Sequence, residues 1–263
     1  MVEQLIGKKV FIFDTETTGL PEKKPGGKFG TRSEYYSPNT RPSAYDTARI
    51  VSIAWFYTDN FTYSTLDTNN INHYIRKPEG FTEIPKTHIH GISYDNAMTN
   101  GILFKEILKT TPLEADLLNC DYIVAHNVLF DIHILLNELV RSEEFNLTEK
   151  INAMLDYNKC ICTGEIGKPI CKLGYKNSKI DYVNYTSGNS NSNTTTATHR
   201  LPRYKMPKLC EFYNHLFGCE MQNAHSASGD VKALMEILRL IVRDIDDDEN
   251  SNGDVIVDKL SKI

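Results

Sequence analysis

A chain of 263 residues, 40% hydrophobic and 24% charged, has enough apolar sequence for one substantial core, since single domains often reach roughly 250 residues. Its longest apolar stretches, such as residues 50–57, fall well short of the about 18 to 20 residues needed to cross a bilayer, so no membrane span and no membrane partner are expected. The net charge of −5 comes from residues 244–263, which hold seven acidic and two basic side chains, so residues 1–243 are neutral and any polyanion binding must come from local patches. In chain order, residues 8–14 (KKVFIFD) read as a buried strand that empties into the turn Asp-Thr-Glu-Thr-Thr-Gly. Residues 21–48 are rich in Pro and Gly, lack periodicity and read as a long loop insertion. Strands are expected at 49–58 and 70–77, then an amphipathic helix over 102–118 interrupted at Pro112, a strand at 121–125 and a helix over 128–140. Residues 186–198 (TSGNSNSNTTTAT) are too polar to bury and read as a mobile insertion. A last helix spans 226–243, and the acidic residues 244–263 read as a flexible tail. Strands followed by alternating helices and strands indicate an α/β fold with a mixed sheet.

Residues 1–9 hold no apolar signal-peptide core, and the six cysteines are too scattered for a disulfide framework, so a reducing intracellular compartment, cytoplasm or nucleus, is expected. The spacing of Cys160, Cys162 and Cys171 matches no strong zinc pattern. Two basic segments stand out. Residues 21–49 carry Lys23, Lys24, Lys28, Arg32, Arg41 and Arg49, and residues 200–208 carry Arg200, Arg203, Lys205 and Lys208 without an acid.

The acids carry the chemistry. Asp14 and Glu16 are two apart at the end of a strand, so both carboxylates point to one face. Asp131 falls in line with Val128 and Leu135 on the inward face of its helix, and Asp230 falls in line with Ala227, Leu234, Ile237 and Ile241 on the last helix. An isolated buried carboxylate costs several kcal/mol unless neutralised, paired or metal-bound. Helix capping could explain either helical Asp singly, but four carboxylates meeting at one ion site is the more economical reading, and an oxygen-only site suits Mg²⁺ or Mn²⁺. His225, five residues before Asp230, is placed to accept a proton near neutral pH.

Together, FDTETTGL (13–20), HNVLFD (126–131) and HSASGD (225–230) resemble, in order, the three motifs of the DEDDh exonucleases, the DnaQ-like family that includes proofreading subunits and ribonuclease T. The similarity covers roughly residues 8–243. It implies a ribonuclease H-like fold with a five-stranded mixed sheet, the second strand antiparallel, flanked by helices, and a two-metal site that removes nucleotides from 3′ ends. By motif, Asp14, Glu16 and Asp230 would hold one divalent ion, Asp14 and Asp131 the other, and His225 would be the general base. Thr17 and Leu20 would grip the 3′ end, and His126 and Asn127 would shape the same pocket or simply cap their helix. Apart from the resemblance, the acid-free basic run just ahead of the last helix makes Arg200, Arg203 and Lys205 candidates to contact phosphates. The expected substrate is a single-stranded or frayed 3′ end, with DNA favoured over RNA, and a polymerase or another replication or repair protein is a candidate partner. Three alternatives stand beside this reading: an exoribonuclease on the same fold, a phosphatase of the haloacid dehalogenase kind, and a non-catalytic nucleic-acid-binding module. The phosphatase chemistry would need Asp in place of Glu16, and the binding module would have no chemical need for four crowded acids.

Overall fold

The computed structural model describes residues 2–28, 31, 34–66, 70–174, 181–186 and 198–249, with backbone alone for 181–186, 198–203 and 244–249. Its elements are β1 (Val10–Thr17), β2 (Ile50–Thr58), β3 (Asn72–Ile75), α1 (Thr87–His90), α2 (Tyr94–Asn100), α3 (Phe104–Thr110), α4 (Leu113–Asn119), β4 (Tyr122–Ala125), α5 (Val128–Arg141), α6 (Phe145–Asp156), β5 (Cys160–Cys162), α7 (Thr163–Cys171), β6 (Asp181–Thr186), β7 (Thr198–Arg203), α8 (Leu209–Phe217) and α9 (Ala227–Glu249). Five strands form one sheet in the order β3-β2-β1-β4-β5, with β2 antiparallel to both neighbours and β1, β4 and β5 parallel. This is the expected mixed sheet, and it places the carboxyl ends of β1, β4 and β5 along one edge.

β1 is central because it is apolar on both faces, as a strand covered on both sides must be. Phe11 and Phe13 belong to one core with Ile53 and Trp55 of β2 and with Ile132, Leu135 and Leu139 of α5. Val10 and Ile12 belong to a second core with Ala54, Phe56 and, from α9, Val231, Leu234 and Leu238. The two-residue period of the strand thus sorts its side chains between an α5 side and an α9 side.

The insertion at 21–48 is more ordered than its Pro and Gly content suggests. Tyr35, Ala44, Tyr45 and Ala48 are buried in the α5-side core. Lys24 N–H donates to the Glu34 carbonyl (2.9 Å), the Tyr45 hydroxyl donates to the Tyr36 carbonyl (2.6 Å), and Arg141 of α5 bonds the Pro42 carbonyl (2.9 Å) and Asp46. Aromatic rings provide the buried area that a count of loop residues conceals.

Three other expectations need comment. The helix expected over 102–118 is two helices, α3 and α4, parted at Pro112 as its missing N–H requires. α9 continues to Glu249, past the boundary expected at residue 244, and residues 250–263 lie outside the described residues. The insertion expected at 186–198 is bracketed by β6 and β7, which pair antiparallel from Asp181↔Arg203 to Thr186↔Thr198, and residues 187–197 lie outside the described residues.

Candidate active site

Strand parity builds the acid cluster. Asp14 and Glu16 share the face of Val10 and Ile12 and so point to the α9 side, where Asp230 stands in the first turn. Asp14, Glu16 and Asp230 offer carboxylate oxygens that all lie within 4.8 Å of one another, and among the described residues no other group of acid, histidine or cysteine ligands is so gathered. Thr15 has the opposite parity and meets α5. Its backbone N–H and its hydroxyl both donate to Asp131 Oδ1 (3.1 and 2.7 Å). Asp131, 3% exposed, therefore reaches the cluster from the far side of β1 and lies outside the tight group of three.

The α9 end is shaped by its entry turn. Asn223 and His225 adopt left-handed backbone (φ 54° and 65°), Gly229 N–H donates to Ser226 Oγ (3.2 Å), and His225 N–H donates to Asp230 Oδ1 (3.2 Å). A Cβ at Gly229 would stand 2.3 Å from the Asn223 carbonyl oxygen, so the turn closes only on glycine. His225 thus orients Asp230 through its backbone while its own side chain is exposed.

The electrostatics are those of acids crowded without counterions. Burial, then Asp131, Asp230 and Glu16, raise the Asp14 carboxyl well above its usual range. Burial followed by repulsion from Asp230 and Asp131 pushes Glu16 up to about 8. Burial raises Asp131 to about 7 against the opposing bonds from Thr15, and raises Asp230 to about 7 against the His225 N–H. A divalent cation relieves this repulsion, and an all-oxygen donor set fits hard ions such as Mg²⁺ and Mn²⁺. The six cysteines are free thiols, and none joins a metal-ligand group among the described residues.

The turn after β1 is pinned to the segment entering β2. Thr18 N–H donates to the Arg49 carbonyl (2.9 Å), Thr18 Oγ1 to the Thr47 carbonyl (2.9 Å) and Thr47 Oγ1 to the Leu20 carbonyl (3.0 Å). A Cβ on Gly19 would sit 2.7 Å from the Thr47 oxygen. Thr17 uses its hydroxyl on the Gly19 carbonyl (2.7 Å), and Leu20, in the turn that follows Glu16, stands 67% exposed. On the opposite flank, His126 Nε2 donates to the Pro207 carbonyl (2.8 Å) and Nδ1 lies 3.0 Å from Thr163 Oγ1, with burial lowering its pKa. This imidazole ties α7 to the chain before α8 and makes no bond to the acids. Asn127 turns the chain from β4 into α5 in left-handed backbone, and its side chain makes no capping bond. Lys205, expected to face phosphate, is paired with Glu211 (2.8 Å), an acid just beyond the basic run, while Arg200 and Arg203 lie in β7 with side chains outside the described residues.

Sequence reasoning missed Thr15 as the partner of Asp131. It also missed a buried ion cluster two turns further along α5, where Glu138 accepts from Arg49 Nε and Nη2 (2.8 and 2.9 Å), Arg76 Nη1 (2.7 Å) and Ile50 N–H (3.2 Å). The signal was present, since Glu138 follows Asp131 by seven residues and occupies the same inward face.

No family model matches the chain, and no curated protein matches it. Solved structures do. Exonuclease I from Methylocaldum szegediense is 15% identical with a TM-score of 0.51, covering 90% of this chain and 40% of that one. Exonuclease I in a structure with SSB and the inhibitor CFAM is 17% identical with a TM-score of 0.50, covering 89% and 41%. The chain has the ribonuclease H-like fold of exonuclease I. A structure of E. coli exonuclease I with a dA16 oligonucleotide is 17% identical with a TM-score of 0.48, covering 89% and 40%. The chain therefore spans well under half the length of the exonuclease I chains it matches. Among the described residues no helix is long and apolar enough to cross a membrane.

Proposed function

We propose that the chain is a DEDDh-type 3′–5′ exonuclease that hydrolyses the terminal phosphodiester of a single-stranded or frayed end, with DNA favoured over RNA. The observation that carries this reading is the convergence of Asp14, Glu16 and Asp230 within 4.8 Å, with Asp131 behind them and the exposed His225 beside Asp230. Two divalent ions, when bound, would offset the phosphodiester charge and acidify the attacking water. Asp14, Glu16 and Asp230 would hold the first ion, and Asp14 with Asp131 the second. Thr15 fixes the Asp131 carboxylate, so its ligand geometry is set before any ion arrives. His225 takes the proton of the attacking water: the exposed imidazole can exchange that proton with solvent, while its backbone N–H holds Asp230 in place. Leu20 presents an apolar edge against the terminal base, and Thr17 steadies the turn that carries it. Arg200 and Arg203 remain the proposed upstream phosphate contacts, with Lys205 joining only if it leaves Glu211.

The test is a degradation series on 3′-labelled DNA and RNA of equal sequence with Mg²⁺, Mn²⁺ and EDTA. Stepwise shortening from the 3′ end with either metal and none in EDTA is expected, faster on DNA. No shortening of either strand with metal present would refute the assignment, and preference for RNA would move it to the exoribonuclease alternative.

A further inference from the structure

A cavity of 530 Å³ lies along the edge strand β5, on the flank of the acid cluster opposite Leu20. Asn127, just past β4, and Glu165, in the first turn of α7, stand at the carboxyl edge of the sheet, and Asn158 stands at the other end of β5. Leu129, Ile161 and Met206 supply apolar walls, and Thr31 brings the 21–48 insertion to the rim. β4 separates β5 from β1, so at about 4.8 Å per strand the cavity's strand runs about 10 Å from the strand that carries Asp14 and Glu16.

Its chemistry is that of a site for a flat, mostly apolar ring with polar edges. Neither the Asn127 nor the Asn158 side-chain amide has a partner among the described residues, so each keeps both donor and acceptor for a ligand. Glu165 is paired with Lys168 (2.6 Å), which tempers the one negative charge on the lining. Met206 is set by close packing, because a Cβ on Gly164 would lie 2.7 Å from its Cγ and Sδ, and the next residue, Pro207, is held by His126. The imidazole of the second motif thus acts as a positioning residue for this wall.

We propose that this cavity receives the nucleobase on the 5′ side of the scissile phosphate, the penultimate base of the strand, with the amides of Asn127 and Asn158 bonding opposite edges of the ring. The inference rests on the exonuclease reading: Leu20 lies on the β2 side of β1, so a strand whose terminal base meets Leu20 and whose phosphate lies over the acids reaches this cavity by continuing across β4 toward β5. Either amide can present a donor or an acceptor, so the site accepts all four bases, as a processing enzyme requires.

The test uses the full chain and single strands carrying one abasic residue at the terminal, penultimate or third position. The enzyme concentration giving half-maximal single-turnover rate in Mg²⁺ is measured for wild type and for Asn127→Gly and Asn158→Gly. Both positions are left-handed (φ 57° and 54°), so glycine deletes the amide without straining the backbone. A penultimate abasic residue should raise the half-saturating concentration for wild type by about fivefold or more, comparable to losing a base contact, and a third-position lesion should not. Each glycine variant should weaken binding of the intact strand and leave the penultimate-abasic strand unchanged. Equal half-saturation of wild type by intact and penultimate-abasic strands would overturn the proposal while leaving exonuclease activity intact, as would variants that weaken every strand alike. Failure of wild type to degrade any strand would refute the exonuclease reading and this site with it.

Discussion

Asp131 and Glu138 lie two turns apart on one face of α5, about 10 Å along its axis, and both are buried, yet they ionise in opposite directions. Burial opposes the charge of Glu138, but Arg76, Arg49 and the Ile50 N–H outweigh it and hold the carboxyl below its usual range. Burial dominates at Asp131, whose helpers are the Thr15 donors and its own backbone N–H, none of them a cation, and whose neighbour Asp230 repels it. The protein carries its own cations for one acid and supplies only more acids to the other. Counterions within the fold mark Glu138 as a structural tie between α5 and the strands β2 and β3, whereas the carboxylate cluster has no cation of the fold's own and is consistent with a metal site.

The sharpest way to break this contrast is to neutralise one member of each cluster. Asp14→Asn should reduce single-turnover cleavage in Mg²⁺ to below about a thousandth of wild type, at the upper end of what loss of one electrostatic group does, while the urea midpoint stays equal or rises because repulsion is relieved. Wild-type turnover by folded Asp14→Asn would sink the metal-site account. Next in size, His225→Ala should slow the chemical step by about 10² to 10⁴-fold, the range for a general base, with Mn²⁺ affinity nearly unchanged. A variant that keeps the wild-type rate would remove His225 from the mechanism.

Glu138→Gln is the converse experiment. It leaves two buried guanidinium groups without their carboxylate and should destabilise the fold by about 3 to 5 kcal/mol, read as a lowered urea midpoint, while the molecules that remain folded keep their Mn²⁺ affinity. A change under 1 kcal/mol would mean that the cluster is solvated and not a tie.

The pH dependence of stability should separate the two clusters without mutation. Asp131 and Asp230 at about 7 and Glu16 at about 8 lie above their unfolded values. In EDTA their contribution is therefore full below about pH 4 and is lost as pH rises through 7 to 8. Glu138, held low, acts in the other sense: its contribution is present above its unfolded value and is lost as pH falls through its folded one. Urea midpoints in EDTA should fall between pH 5 and 9, and saturating Mn²⁺ should flatten that fall. An EDTA profile that rises over this interval would contradict the crowded-acid picture. The smallest effect is expected at the basic run. Arg200→Ala with Arg203→Ala should flatten the salt dependence of strand binding, and Lys205→Ala should add little because Glu211 already engages it. A larger loss from Lys205→Ala than from the double variant would reverse that ordering.

The acid cluster was legible in the sequence because each part obeys a local period: two residues for Asp14 and Glu16 on β1, and the inward helical stripe for Asp131 and Asp230. The Arg49–Glu138–Arg76 cluster was not, since its partners lie 89 and 62 residues apart and no local period relates them. Arg49 and Arg76 each sit at a strand end, where a basic residue reads as solvated. β5, only three residues long, is too short to show alternation. α6 could have been found, because Leu147, Ile151, Met154 and Leu155 keep helical spacing and are buried. The order within 21–48 depends on Tyr35 and Tyr45 reaching the core of another element, which no loop composition reveals.

The central contrast is tested most directly by titrating Mn²⁺ into wild type, Asp14→Asn and Glu138→Gln at pH 8 by calorimetry, with folded fraction measured in parallel. The account predicts saturable binding with proton release for wild type, the same affinity per folded molecule for Glu138→Gln, and none at the same site for Asp14→Asn. Undiminished Mn²⁺ binding by Asp14→Asn, or its loss from folded Glu138→Gln, would contradict it.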